Sequence, residues 1–573
     1  MDRAPTFHSE PDPREHALAR TLGLPNLLTR VLLARGMDDP DQIRNWLKHD
    51  IEGLSDPFLF KYMAQAIERI KLALRSGETI LIHGDYDVDG ITSSVLLLDF
   101  FSLFQANVTA FVPRRQDGYS FTAASHEAIK KAKATLCISV DNGTNACAMI
   151  DRIQADGCDV IVTDHHGTLD KIANAHTVLN PRLPDAGYPD TDLAGVGVAF
   201  KLAMGLAESL SRDTKESEEF QSFLLDSMAY VALGTVADVA PLRGENRILV
   251  HHGLRALAGS RHPGIRALLD SANIGPRPPD ERSISFRIAP LINAAGRMGH
   301  AEEAVQLLRA RDFQKSQVHA KTLERYNRQR RKIERQLTAR AMDEARKLDD
   351  PIVVLGGEGW HPGVLGIVAS RITETLGKPA ILIAFDDGIG RGSGRSNGML
   401  DLRAALASCS SCLRSHGGHA VAVGLEIDQS RFEEFRKLIN ELAGPHVKNH
   451  TDAQAECHAN LSELDPHVIR KFDMFGPFGP GNRRPVFLTD GLKVIGYPSI
   501  DSRDSSLRFR VAQQGIILPV RWRRAMGRFE EVREMKEQIS LTYSPRLPLR
   551  GEDGPVELIA FDLQPCVATR TTP

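Results

Sequence analysis

Hydrophobic and polar positions change period several times along the chain, and each change marks an element. Residues 24–74 carry helical spacing, first in LPNLLTRVLLARGM and again in FLFKYMAQAIERIKLAL, which predicts a helical lead-in to the first core. At ETILIHGDYDVDGITSSVLLLDFF (78–101) the pattern becomes a short apolar strand, an acidic turn and an apolar helix, the opening of an α/β unit. TLCISVDNG (135–143) and DVIVTDHHG (159–167) repeat the strand ending, at intervals that leave room for helices such as 144–157. Together they predict a mostly parallel sheet with its functional residues beyond the C-terminal strand ends, where open α/β sheets place their ligand crevices.

Residues 194–260 read as largely helical, and 283–299 contains the polar turn INAAGRMG. A long charged helix is expected over 300–347. A second α/β pattern begins at PIVVLGG (351–357), continues through a helix in HPGVLGIVASRI (361–372) and returns to a strand in PAILIAF (379–385). The Pro- and Gly-rich text GPFGPGNRRPVF (476–487) introduces a last region of β segments, VFLTDGLKVIG, SLRFRVAQQ and GIILPVRWRR, whose number suits a small barrel or a sandwich. The expected organisation is a helical lead-in at 1–75, a catalytic domain at 76–299, a connecting helix at 300–347, a second α/β domain at 351–450 and a barrel at 455–560.

The 573 residues are 42% hydrophobic and 25% charged, which suits a folded multidomain protein and excludes a fibre or a wholly disordered chain. A formal net charge of −2 advertises no polyanion partner, so local charge has to be read instead. Lys321–Arg335 holds seven basic and two acidic residues, net +5, and reads as either a phosphate-facing surface or a solvated helix face. Seven dispersed cysteines fit a reducing cytoplasm better than a disulfide scaffold. Cys409-Ser-Ser-Cys412 is a CxxC with no second pair at zinc-ribbon spacing. The first twenty residues lack the apolar core of a signal peptide, and nowhere do 18 apolar residues run together, so a soluble intracellular protein is expected.

The strongest chemical signal is Asp85-Tyr-Asp87-Val-Asp89-Gly90, directly after an apolar strand. Three carboxylates in five residues repel one another unless cations neutralise them, so the direct reading is a divalent-metal site. An EF-hand fails, because position 12 is Leu96 and the entering element is a strand. Asp141 and the run Asp164-His165-His166 sit at two further strand ends, and Asp238 in VADVAPL can complete the group. Carboxylate oxygens suit magnesium or manganese, and added imidazole moves the preference towards manganese. A paired site of Asp85, Asp87, Asp89, Asp141, His165 and Asp238 could activate water for phosphodiester cleavage, with Asp141 as the bridge and His83 as an alternative ligand. His166 could donate to a phosphate oxygen while Asp164 orients the histidine pair. On the substrate side, Arg391, Ser393 and Arg395 in RGSGR read as a phosphate clamp around flexible backbone donors. Gly417-Gly418-His419 adds a close-approach turn, Asn293 and Arg297 offer phosphate contacts, and His361 begins a helix. His251 and His252 carry no comparable support.

Assembled in order, these motifs resemble the DHH phosphoesterase family, in particular its exonucleases acting on single-stranded DNA. GDYDVDG (84–90), SVDNG (139–143), TDHHG (163–167) and ADVAPL (237–242) match the catalytic half. INAAGRMG (292–299), WHPGVLGIVASRI (360–372), RGSGRS (391–396) and GGH (417–419) match the second, and GPFGPGNRRPVF looks like the entrance to an OB-fold. The resemblance covers roughly residues 24–550, with Val88 standing where the family commonly has Ala. It implies a parallel-sheet DHH core, a linking helix, a DHHA1-like second α/β domain and a C-terminal OB-fold barrel. The implied activity is 5′→3′ degradation of single-stranded DNA to 5′-mononucleotides with two Mn2+ or Mg2+ ions, in recombination and repair, alongside a single-strand-binding protein and a helicase. His166 would then assist at the phosphate, and Arg297, Arg391, Arg395 and His419 would hold the backbone or the terminal phosphate.

Two other functions account for part of the pattern. A DHH-type phosphoesterase acting on short oligonucleotides or cyclic dinucleotides explains the metal motifs, but not the linking helix and barrel. A non-catalytic single-strand-binding protein leaves the metal and phosphate groups without a purpose.

Overall fold

The computed structural model describes residues 12–115, 118, 120–168, 171–211, 214–275, 278–398, 400–443, 454–501, 506–523, 525–535, 538–547 and 555–566. The chain divides into two compact units, one of residues 51–449 with 479–481, the other of 1–50, 450–478 and 482–573.

The larger unit begins with a five-stranded parallel sheet: β1 (Ile80–His83), β2 (Val108–Phe111), β3 (Leu136–Val140), β4 (Asp159–Thr163) and β5 (Thr177–Leu179), in the order β2-β1-β3-β4-β5. Each of the four pairings is parallel. The chain leaves β1 towards one edge and returns on its other side as β3, so the strand order reverses between β1 and β3. That is where a doubly wound sheet opens its ligand crevice. The strands are apolar because both sheet faces are covered. Helices Met63–Ser76, Val88–Ser102 and Gly195–Leu210 build the core on one face, and Ile129, Ile150 and Ile153 pack on the other. Helix residues Glu218–Ala237 are long and apolar enough to cross a membrane, and 61% of that window is buried inside the protein.

The expected single helix at 300–347 is two: Glu302–Arg309, then Phe313–Ala345. Asp312 stops the first from running into the second. Its extended backbone restarts the chain, and its carboxylate caps the new helix by accepting from the Lys315 N–H. Ala320 and Leu323 of the long helix pack into the first core, while Leu337, Ala341 and Ala345 pack against the second domain. That domain is a mixed sheet of β6 (Val353–Glu358), β7 (Ala380–Asp386), β8 (Ile389–Arg395), β9 (Ser415–His419) and β10 (Ala422–Asp428), ordered β6-β7-β8-β10-β9.

Three segments read as polar turns are regular structure. INAAGRMG lies mostly in helix Ala289–Arg297, RGSGR is the body of β8, and GGH belongs to β9. The backbone of β8 is therefore committed to ladders with β7 and β10 rather than flexible. Its glycines alternate with polar residues because a Cβ on Gly392 would come within 2.8 Å of Leu425 and one on Gly394 within 2.7 Å of Val423. Arg391, Ser393 and Arg395 consequently share the opposite face.

In the smaller unit, β11 (Cys457–His458), β12 (Phe487–Asp501), β13 (Ser506–Gln513), β14 (Ile516–Trp522), β15 (Ile539–Arg546) and β16 (Glu557–Pro565) run in the order β11-β12-β13-β14-β16-β15. Pairing of β12 with β15 closes five of them into a barrel. Helices Glu15–Leu22, Asn26–Ala34 and Pro40–Lys48 bury Leu18, Leu28, Leu32 and Ile43 in the barrel's apolar cluster, not in the first core as the lead-in reading expected. Arg30 ties them there through Glu15 and Glu463, each at 2.9 Å. Amphipathic spacing shows that a helix has a face to bury, and it carries no information about which core receives it.

Candidate metal centre and phosphate cleft

The register of the first sheet puts the ends of β1, β3 and β4 side by side, with His83 opposite Ser139 and Val140 opposite Thr163. Asp85, Asp141 and Asp164 therefore leave the sheet at one edge. Asp141 adopts φ +62, a left-handed conformation that Asp tolerates better than most residues. Asp87 caps helix Val88–Ser102, accepting from the N–H groups of Asp89 and Gly90 at 3.0 and 3.2 Å. Asp89 accepts from the N–H groups of Gly195 and Val196, both at 2.8 Å. Asp238 follows helix Thr214–Ala237 directly and reaches the same place.

Three overlapping sets bring possible ligand atoms within 4.8 Å of one another: Asp85, Asp87 and Asp141; Asp89, His165 and Asp238; and Asp141, His165 and His166. His165 Nε2 stands 3.1 Å from Asp141, 3.7 Å from Asp89 and 3.8 Å from Asp238. Burial, reinforced by neighbouring carboxylates, pushes Asp85, Asp89, Asp141 and Asp238 upward. Burial and the charge of His166 push His165 down to about 3, which keeps it neutral. Neither ring nitrogen of the buried His165 hydrogen-bonds, and buried Asp85 Oδ1 is also without a hydrogen-bond partner. Crowded carboxylates that resist ionising beside a neutral imidazole with open nitrogens fit a divalent cation of the magnesium or manganese type.

The second histidine is built differently. Asp164 accepts from the N–H groups of Thr144, His165 and His166 and from His166 Nδ1, the last at 2.8 Å. Burial opposes the His166 imidazolium, but its hydrogen bond to Asp164 and the surrounding carboxylates raise it to about 9. The same partners hold Asp164 well below the usual carboxylate range against its burial. His83 points elsewhere: its nitrogens engage Asn142 Oδ1 at 3.1 Å and Ser125 Oγ at 2.9 Å, and its ring stacks on Phe121.

Facing this cluster is a cationic wall. Helix Ala289–Arg297 presses so closely on the acidic turn that a Cβ on Gly296 would lie 2.1 Å from the Tyr86 carbonyl oxygen, and the same helix carries Asn293 and Arg297. Arg297 Nη1 donates to the Gly363 carbonyl at 3.0 Å, joining the first domain to the turn capped by His361, whose Nδ1 accepts from the Gly363 N–H. Arg395 donates to Ser393 Oγ at 3.2 Å. His419 stacks parallel to His166 with centroids 6.4 Å apart. Arg391 stands at the exposed rim, 3.8 Å from Glu426.

Sequence reasoning missed Arg115, whose guanidinium lies 4.5 Å from the centre of the Tyr86 ring and whose buried Nε has no hydrogen-bond partner. Its position just past β2, at the functional edge of the sheet, was the available signal. Burial and then the charge of Arg115 push both Arg297 and Arg395 down, so the three guanidiniums stand near enough to repel one another. Cys409 and Cys412 are buried in the second domain's core, and His251 and His252 lie on helix Gly244–Gly259.

A doubly wound parallel sheet with acidic and histidine tips over its switch point is the DHH type of catalytic domain. Residues 79–235 match the DHH family, N-terminal domain, 349–444 the DHHA1 domain and 455–552 the RecJ OB domain. The chain is 36% identical to the single-stranded-DNA-specific exonuclease RecJ of Salmonella typhimurium, over 86% of this chain and 85% of that one. It is 32% identical to RecJ of Bacillus subtilis, over 87% of this chain but only 63% of that longer protein's length. The crystal structure of RecJ from Thermus thermophilus in complex with Mn2+ superposes with a TM-score of 0.81 at 27% identity, covering 98% of this chain and 79% of the other. The chain belongs to the RecJ family of single-stranded-DNA-specific exonucleases.

Proposed function

We propose that the protein is a 5′→3′ exonuclease that hydrolyses single-stranded DNA to 5′-mononucleotides with two Mn2+ or Mg2+ ions. The observation that carries this reading is the buried carboxylate and imidazole cluster at the β1/β3 switch point, faced by Arg115, Arg297 and Arg395. Asp85, Asp87, Asp89, Asp141, His165 and Asp238 would hold the ions, which supply Lewis-acid activation of water and neutralise charge on the phosphate. Asp141 and His165 each belong to two of the three ligand sets, and of the two only the carboxylate has a pair of oxygens with which it could bridge.

His166, held charged by Asp164, donates to a nonbridging oxygen of the scissile phosphate as its charge grows. Arg115, Arg297, Arg395 and Ser393 bind the terminal phosphate, with Asn293, His361, Arg391 and His419 along the following backbone. The barrel extends contact with the strand, as OB surfaces do through basic grooves and stacking. The setting would be cytoplasmic recombination and repair, where a helicase and a single-strand-binding protein supply the substrate.

The test is incubation with Mn2+ and uniformly labelled single-stranded, duplex, 5′-blocked and di- to pentanucleotide DNA. Mononucleotides released in sequence from free 5′ ends are expected. Digestion confined to the shortest substrates would replace the reading with that of an oligonucleotide phosphoesterase.

A further inference from the structure

The long helix Phe313–Ala345 has two faces of opposite character. Its buried residues, Ser316, Ala320, Leu323, Asn327, Glu334, Leu337 and Ala341, recur at three- and four-residue intervals on the side packed against the two domains. Lys321, Arg325, Arg328, Lys332 and Arg335 recur at the same intervals, displaced by about half a turn, and all five are exposed. They form a straight row about 21 Å long pointing away from the protein. The cleft cations lie on the other side, where Arg330, joined to Asn327 and to Glu334, faces inward and its charge adds to the burial of Arg297.

Among the described residues, few partners answer this outward charge, and Arg325 lies 5.3 Å from the centre of the Tyr326 ring. Glu324 lies 3.3 Å from Arg328, and the other acidic residue of the stretch, Glu334, is buried. Among the described residues, none of the exposed large hydrophobics lies between Lys321 and Arg335, and the exposed Phe313 and Val318 sit before the row, so an amphipathic acidic peptide would find apolar contact only at the helix's N-terminal end. Within the row no aromatic is exposed for a single strand's bases: Tyr326 is half-buried and stacked on His300 at 4.9 Å. What remains is a rigid line of cations, which suits a phosphate backbone contacted by charge alone. Duplex DNA offers roughly 12 charges over such a length.

We infer that the outward face of this helix docks duplex DNA, holding the double-stranded flank of the molecule whose single strand enters the cleft. The inference rests on the reading of the protein as a DNA-acting enzyme, and its test does not depend on catalysis.

A duplex closed at both ends by hairpins, which has no end to degrade, is titrated into the full-length protein over a range of salt concentrations. The comparison is a variant carrying Lys321→Gln, Arg325→Gln, Arg328→Gln, Lys332→Gln and Arg335→Gln, checked for an unchanged melting temperature. Duplex affinity should fall at least about tenfold, and the slope of log K against log salt should flatten by roughly 4, at about 0.9 for each phosphate no longer neutralised. A second variant with Arg325→Lys, Arg328→Lys and Arg335→Lys should bind nearly as the parent does. Hydrolysis of a short single strand should be the same in all three, and its absence in the parent would count against the exonuclease reading alone. Equal duplex affinity and slope in parent and Gln variant, no duplex binding by the parent at low salt, or tighter binding of polyglutamate than of duplex would each overturn the inference.

Discussion

Asp164 accepts a hydrogen bond from His166 Nδ1 at 2.8 Å while three backbone N–H groups hold the same carboxylate in place. This spends Nδ1 of His166 on the protein and, with the surrounding carboxylates, favours the imidazolium. Asp164→Asn keeps the shape and removes the charge that favours the imidazolium. The expected result is a fall in kcat of about 10- to 100-fold, with the half-saturating Mn2+ concentration nearly unchanged, since Asp164 is proposed as a positioning residue rather than a ligand. A variant that loses Mn2+ affinity and retains kcat at saturating metal would reassign Asp164 to the metal centre.

The crowding of Asp85, Asp87, Asp89, Asp141 and Asp238 predicts that the apoprotein is destabilised by its own site. Saturating Mn2+ should raise the melting temperature, by the equivalent of about 2.7 kcal/mol at one hundred times Kd, and a chelator should reverse it. Asp141→Asn relieves repulsion in the apoprotein and removes the proposed bridge. It should melt no lower than the parent without metal yet gain far less when Mn2+ is added, as read by calorimetry. A full metal-induced shift in the variant would exclude Asp141 from the centre.

Gly234 is the contact point between helix Thr214–Ala237 and the acidic turn. A Cβ there would stand 2.6 Å from Thr92 Oγ1, 2.7 Å from Asp89 Oδ1 and 2.8 Å from a methyl of Val196. Gly234→Ala should therefore displace Asp89 from the Gly195 and Val196 amides and weaken Mn2+ binding by about 10- to 100-fold. Isothermal titration with Mn2+ measures it, and parental affinity in a folded variant would mean that the helices part without moving Asp89.

How much of this was legible in the sequence depended on what each residue's signal recorded. Asp85, Asp141 and Asp164 follow apolar strands, and strand tips of a parallel sheet share an edge, so their convergence could be anticipated from the sequence alone. RGSGR could not be read as β8, because glycines that admit Leu425 and Val423 of β10 erase the apolar alternation that identifies a strand, and GGH could not be read as β9, because that strand is exposed along its length and has no apolar face to show. His83 has the residue type and spacing of a ligand, yet Asn142 and Ser125, distant in sequence, occupy both its nitrogens. Arg115 was overlooked for the converse reason: it belongs to no motif, and its one signal, a place just past β2, does not say that it lies beside Tyr86 and the cleft arginines. The first three helices showed their apolar faces plainly, but their partner is a barrel more than 400 residues away in sequence, as the Arg30 to Glu463 pair illustrates.

The CxxC pair carries its own prediction. Burial, and then the nearby Cys412, push the Cys409 thiol up to about 11, so at pH 8 roughly one molecule in a thousand holds the thiolate there. Iodoacetamide on the native protein at pH 8 should modify the partly exposed Cys147 and Cys566 first, and reach Cys409 and Cys412 only after denaturation. Peptide mapping distinguishes the outcomes, and rapid native labelling of Cys409 would show a reactive thiol that burial does not hold protonated.

The buried carboxylate of Glu334 is where the long helix grips the second domain. It accepts from Arg330 on its own helix at 2.6 Å and pairs with Arg371 on helix Leu365–Leu376. Removing it leaves the partly buried Arg330 and the half-exposed Arg371 without their shared counter-charge, a loss below the roughly 3 kcal/mol of a fully buried pair because solvent screens Arg371. Because helix Leu365–Leu376 begins next to Arg395 and just after the Gly363 carbonyl that receives Arg297, loosening this grip should let the cationic wall drift from the metal cluster. Glu334→Ala is expected to lower the melting temperature and to raise KM for single-stranded DNA several-fold, with Mn2+ affinity intact because every proposed ligand lies in the first domain. A lower melting temperature with unchanged KM would show that the pair supports the fold without setting the width of the cleft.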